Sequence, residues 1–237
     1  MGRHAGLAYT ELGLAYILNE RFEDAIMANR AGRALLMELT LFKEGKYWPD
    51  FAVIHEVIAL IGLERDAEAL PMLQEAIAFR QRRFGPNDTQ SFKLGLYQQL
   101  SGLVYLRQGD QDTSFQYYQR ALANYRATVG DHHYRTCQVC VKLAEYHAIN
   151  NQAEAASIYF DQALKNFAHH ELMKPELALA KHKKAKFMHD ISDFEAAEEL
   201  AGEARQLYME VVSANHATAV DAPCDDDFEK FVPFWSR

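Results

Sequence analysis

Small residues recur along this chain on a fixed schedule, and that schedule restricts it to stacked pairs of helices. Gly13, Val57, Gly102, Ala144 and Ala185 are each followed twelve positions later by Ala25, Ala69, Ser114, Ala156 and Ala197, and seven positions after that by Gly32, Ala76, Ala121, Ala163 and Ala204. The five units start 44, 45, 42 and 41 residues apart, a period in the range of helical solenoids. Antiparallel helices approach closely only where small side chains let the backbones near, with larger residues filling the space beside them. Tyr16, Leu60 and Tyr105 supply the large residue on the first helix of a pair, and Leu73, Tyr118 and Phe160 on the second. A short polar or glycine turn separates the two: Asn19-Glu20-Arg21, Gly62-Leu63-Glu64-Arg65, Gln108-Gly109-Asp110, Asn150-Asn151-Gln152 and Ile191-Ser192-Asp193. The pattern predicts one helical hairpin per repeat.

The hairpins are expected near residues 5–40, 49–84, 94–129, 136–170 and 176–212, as one domain over 1–212, followed by a linker and aromatic tail over 213–237. Pro49 and Pro175 fall at the starts of first helices, where a missing N–H costs little, with Asp50 and Glu176 placed to favour the helix dipole. The class is all-α. A chain of 237 residues, 49% hydrophobic, is long enough to bury a core without disulfides or metals. Its net charge of −8 argues against a broad nucleic-acid or anionic-membrane surface. Three cysteines without repeated spacing fit a reducing compartment, so a cytoplasmic location is expected. No run approaches eighteen apolar residues, so no membrane span is expected.

The small-residue register, with its Leu-Gly, Tyr, Ala, aromatic and Ala positions, resembles the tetratricopeptide repeat. Units one, three and four match it best; unit two has Val57 for the glycine, and unit five has Lys184-Ala185 for Leu-Gly. The long period, with Phe84-Gly85-Pro86-Asn87-Asp88 between units, resembles the 42-residue variety of kinesin light chains and many fungal proteins. The tail from Asp227 to Arg237 also resembles the C-terminus of fungal tetratricopeptide proteins. The resemblance implies a right-handed superhelical solenoid whose concave wall is the first helix of every unit, and a protein-interaction scaffold rather than an enzyme. By the family's register the wall takes Leu14, Phe51, Ile54, Ile58, Gln99, Leu103 and Arg107 from the first three units. It takes Glu145, His182, Lys186 and His189 from the last two, where it turns polar. The chaperone-tail clamp of the family needs Lys, Asn and Arg where this chain has Thr10, Leu14, Ile54 and Ile58, so that activity is not implied.

An open apolar wall on a soluble chain calls for a cover, and three are in view. One is a partner protein or peptide laid in the groove. Another is the chain's own tail, whose Phe228, Phe231, Phe234 and Trp235 follow the acidic spacer Asp225-Asp226-Asp227 and serve as a fixed cap or a removable plug. The third is a small apolar molecule, with or without chemistry done on it.

Other motifs carry less. Cys137-Gln138-Val139-Cys140 has the spacing of a zinc or redox pair, yet it lies in a predicted helix without a second pair. Asp131-His132-His133 and His169-His170-Glu171 fall in equivalent loops and are brought to one edge, where solvated or capping histidines compete with a metal site. His182 and His189 share a helix face with Lys186, suiting an acidic group or solvent alike. The run from Lys181 to Lys186 reads as a solvated face, open to pairing with the acidic spacer, so Lys183→Ala should be almost silent whereas Gly102→Leu should overpack a crossing. No phosphate loop or nucleophile elbow appears. No catalytic residue, metal or cofactor is expected.

Overall fold

Eleven α-helices run through the computed structural model, which describes residues 2–39, 45 and 48–236. They are α1 (Gly2–Leu18), α2 (Phe22–Met37), α3 (Asp50–Gly62), α4 (Asp66–Phe84), α5 (Lys93–Arg107), α6 (Gln111–Thr128), α7 (Tyr134–Ile149), α8 (Ala153–Phe167), α9 (Lys174–Asp190), α10 (Phe194–Ala214) and the short α11 (Asp225–Glu229). Among the described residues there is no strand. The first ten helices pair consecutively into five hairpins, an all-α repeat fold as the register requires. By its contacts the chain divides into two compact units, 1–124 and 125–237.

The recurrent small residues sit in the helix crossings. Ala25, Ala69, Ala76, Ala121, Ala144, Ala156, Ala163 and Ala204 are fully buried. A Cβ placed on Gly13 would lie 2.1 Å from Asn29 Nδ2, and one on Gly32 would lie 2.8 Å from the backbone oxygen of Gly6. Where Gly102 crosses α6, the Tyr118 ring stands 3.1 Å from the place of a Cβ, and Ser114 Oγ donates to the Gly102 carbonyl at 2.8 Å. The close approach is therefore real, and side chains as well as backbone fill it.

Every hairpin turns the same way. The residue seven positions past the register residue has positive φ in each unit: Glu20 (55°), Glu64 (59°), Gly109 (81°), Asn151 (57°) and Ser192 (64°). The next amide then donates back to the carbonyl five residues earlier, Arg21 to Tyr16 at 2.9 Å, Arg65 to Leu60 at 2.8 Å, Asp110 to Tyr105 at 3.0 Å, Gln152 to His147 at 2.9 Å and Asp193 to Met188 at 2.9 Å. This closes the first helix with a Schellman-type stop. Asp193 also caps α10, its carboxylate accepting from the Ala196 amide at 3.3 Å.

One buried ionic cluster braces the first unit. Arg80 of α4 donates to Asp50 at 3.1 Å, to Asp88 and to Ser91 Oγ at 2.9 Å; Lys93 Nζ and the Tyr97 hydroxyl also donate to Asp50, each at 3.0 Å. Arg80, Asp50 and Asp88 are all buried, so the loop between α4 and α5 is tied to the start of α3 through one guanidinium. Burial and the Asp50 charge push the Tyr97 hydroxyl well above the usual phenol range.

Candidate functional site

In the first unit, most of the wall residues expected to be open are interior. Ile54, Ile58, Gln99 and Leu103 are buried, so an exposed apolar wall does not exist at those four positions. The reason is visible at the first hairpin. There α3 packs across α1 and α2, and His55 Nδ1 donates to the Thr10 carbonyl at 3.3 Å. Burial lowers the His55 pKa, keeping the ring neutral. What stays open is the edge. Leu14 is half-buried, and Phe51 is 45% exposed with Lys93 Nζ 5.1 Å from its ring centroid. Leu7, in the place of Phe51 one repeat earlier, is also exposed. Arg107 is committed elsewhere, donating to the Ile61 carbonyl at 2.9 Å and pairing with Asp66 at 3.1 Å.

In the second unit, the wall between α7 and α9 is ionic. Glu145 takes Lys142 Nζ at 3.0 Å and Lys183 Nζ at 2.6 Å. Burial opposes the ionisation of Glu145, but the two ammonium groups outweigh it and hold the carboxyl at about 2. Burial, joined by the charge of Lys183, lowers Lys142 despite its carboxylate, whereas Lys183 is raised because Glu145 outweighs its desolvation. Two cations thus share one anion. The folded pKa of Glu145 lies below its unfolded value. Its contribution is therefore complete above about pH 4.5 and lost as the pH falls toward 2. Glu145→Gln should cost about 2 kcal/mol at neutral pH, a value reduced for partial solvent screening. The gap from the parent should close in urea titrations repeated down to acid pH. A pH-independent gap would show that the carboxylate charge is not what matters.

The basic run of α9 is not a solvated face. Lys181 pairs with Glu203, Lys183 with Glu145, Lys184 with Asp161 and Lys186 with Asp225. Lys183, only 14% exposed at its side chain, is therefore not a silent position; removing it leaves Glu145 with one partner.

The tail lies on the last hairpin. Phe228 and Val232 are buried against Ala178, Leu179, Ala204, Tyr208 and Val212, with Phe231 packed alongside. The Phe228 ring stacks on His182 at 4.4 Å between centroids. Asp225 accepts from His182 Nε2 at 2.7 Å and from Lys186 Nζ at 2.5 Å, and the Lys186 and His182 contacts keep its carboxyl below the usual range. Phe234 and Trp235 are half-buried and meet edge to face at 5.1 Å. Phe228→Ala should free α11 while leaving the hairpins folded, because a cap on one hairpin opens locally. Amide exchange across residues 225–232 should rise at least tenfold, with the five hairpins unchanged. Beside the tail, a cleft of about 510 Å³ remains open, lined by His182, Ala185, Lys186, His189, Phe194 and Ala197, among others.

Models of the tetratricopeptide repeat match residues 57–90 and 96–168. This chain carries tetratricopeptide repeats. No curated protein matches its sequence. Among solved structures, BtubC (BKLC) from P. vanneervenii superposes with a TM-score of 0.71 at 16% identity, covering 91% of this chain and 83% of that one. A Podosopora anserina chain, described as a kinesin light chain with nearly identical TPR-like repeats, gives a TM-score of 0.65 at 16% identity, covering 89% and 96%. At that identity the likeness is one of fold.

The remaining motifs of the tetratricopeptide protein have structural partners. Cys137 and Cys140 are buried in α7, and burial pushes both thiols to about 12, far from the thiolate that metal or redox chemistry needs. The loop histidines do meet, His132 and His169 edge to face at 6.3 Å, but His132 bonds Asn166 at 2.8 Å and His170 donates to the His132 carbonyl at 2.5 Å. Among the described residues no group of three or more His, Cys, Asp or Glu could hold a metal. Likewise, no helix there is long and apolar enough to cross a membrane. The sequence reading missed Lys142 and Lys183 as partners of Glu145, although both lie two residues before the register alanines Ala144 and Ala185, the same place in successive repeats.

Proposed function

We propose that this tetratricopeptide protein is a non-enzymatic scaffold that binds a partner protein or peptide along the faces of its first helices. Phe51 carries the reading. A half-exposed phenylalanine, its ring held under the Lys93 ammonium that pairs with Asp50, and an exposed leucine at the equivalent position of the preceding repeat offer an apolar anchor. An aromatic group open to solvent is the kind of side chain around which binding hot spots form. The partner that suits this anchor is a segment carrying apolar side chains.

The test is affinity capture from lysate of the source cell, comparing the full chain with Phe51→Asp. Substitutions at Ile58 or Leu103 are unsuitable because both are core. A protein retained by the parent and lost from the variant, with melting unchanged, supports the scaffold. A co-purifying metabolite with no protein points instead to a small apolar ligand in the open cleft of the last hairpin. Retention equal in both chains removes Phe51 from the site.

A further inference from the structure

The first and last hairpins share one register, with Gly13, Ala25 and Gly32 in the places of Ala185, Ala197 and Ala204. In the first, the groove between α1 and α2 is filled by α3. Arg65, just past α3, pairs with Glu23 at 3.3 Å; Glu56 pairs with Arg30 at 2.7 Å and Arg33 at 3.0 Å; and Gly62 sits so close to Phe22 that a Cβ would lie 3.0 Å from the ring. On the last hairpin the same places hold Glu195 for Glu23, Gly202 for Arg30, Arg205 for Arg33 and Phe194 for Phe22. There α11 covers one half of the groove. The other half, nearest the α9–α10 turn, is the open cleft, and Phe194 stands 59% exposed at its edge.

The complementary set is on α1. In register with α3, Arg21 takes the place of Arg65, Leu12 that of Glu56 and Leu18 that of Gly62. Leu12 and Leu18 are exposed. Arg21 is braced on Asp24 as Arg65 is braced on Glu68. Of these contacts, Arg65 with Glu23 is kept as Arg21 with Glu195, and Glu56 with Arg30 is lost on both sides together, as Leu12 with Gly202; Arg205 keeps the place of Arg33 opposite Leu12, and Leu18 in the place of Gly62 requires the exposed Phe194 ring to stand farther off than Phe22 does.

We propose that α1 of a second copy of this chain docks in the open half of the α9–α10 groove, with its Arg21 against Glu195 and its Leu18 over Phe194. The two surfaces differ, so the contact is heterologous and copies add in series rather than closing as a two-fold dimer. None of these residues belongs to the Phe51 face, so the two readings fail separately.

Sedimentation velocity on the full chain over a hundredfold concentration range is the test. The average mass is expected to rise above the 27.1 kDa monomer as concentration increases. Arg21→Glu and Glu195→Arg should each weaken association about tenfold, and the double charge swap should restore it. A monomer at every concentration overturns the proposal. So does association that neither reversal weakens, or a double swap weaker than either single change, each variant first being shown to melt like the parent.

Discussion

Arg80→Ala is expected to remove about 3–5 kcal/mol of stability, because it leaves Asp50 and Asp88 buried without their shared cation. Lys93 still reaches Asp50 at 3.0 Å, but no contact joins it to Asp88 in the structure. Arg80→Lys should recover only part of the loss. A single ammonium does not span Asp50, Asp88 and Ser91 from one planar fork. Equilibrium urea unfolding of the three chains decides the matter, and a loss below about 1 kcal/mol for the alanine variant would mean that the cluster relaxes or takes up water. The expectation is steep because the guanidinium bridges segments far apart in sequence, the start of α3 and the loop after α4.

Gly32→Leu is expected to cost more than 3 kcal/mol, and more than Gly102→Leu, which should fall in the range of about 1–3 kcal/mol. Both glycines lie at helix crossings, but what faces them differs. Opposite Gly32 is the backbone oxygen of Gly6, 2.8 Å from where a Cβ would go, so α1 and α2 must separate. Opposite Gly102 is the edge of the Tyr118 ring at 3.1 Å, a side chain with some freedom to tilt. Thermal unfolding of the two variants side by side tests this order, and the reverse order would place the tight crossing in the third hairpin rather than the first.

The hairpins and their turns were legible from sequence because a crossing demands a small residue and a turn demands an αL-tolerant or polar one, at intervals that repeat. Exposure was not legible in the same way. Ile54 and Ile58 occupy inward-facing positions of a single hairpin, yet burial depends on what packs across them, which a one-repeat register does not contain. The lysines of α9 misled for a related reason. Glu203, Glu145, Asp161 and Asp225 come from four other segments, and nothing local in the run from Lys181 to Lys186 announces them. The tail was the more readable part. An acidic spacer followed by aromatics has little to do except pair with cations and cover an apolar end, and Asp225 and Phe228 do so on His182 and Lys186. Arg80 passed unnoticed because a cation that bridges three segments leaves no periodic trace.

The five identical turns have a bearing on how this protein could be made more robust. Gly109 and Asn151 adopt positive φ at little cost, whereas Glu20, Glu64 and Ser192 hold the same geometry against their own Cβ atoms, a penalty of about 1 kcal/mol apiece. Evolution has left a thermal reserve undrawn at three exposed points that are far apart in sequence. Glycine at each should raise the melting temperature independently and additively, giving a graded series of chains with one architecture and a chosen hardness; Glu64 is the one to change first, because Glu20 and Ser192 border the surfaces proposed to join two copies.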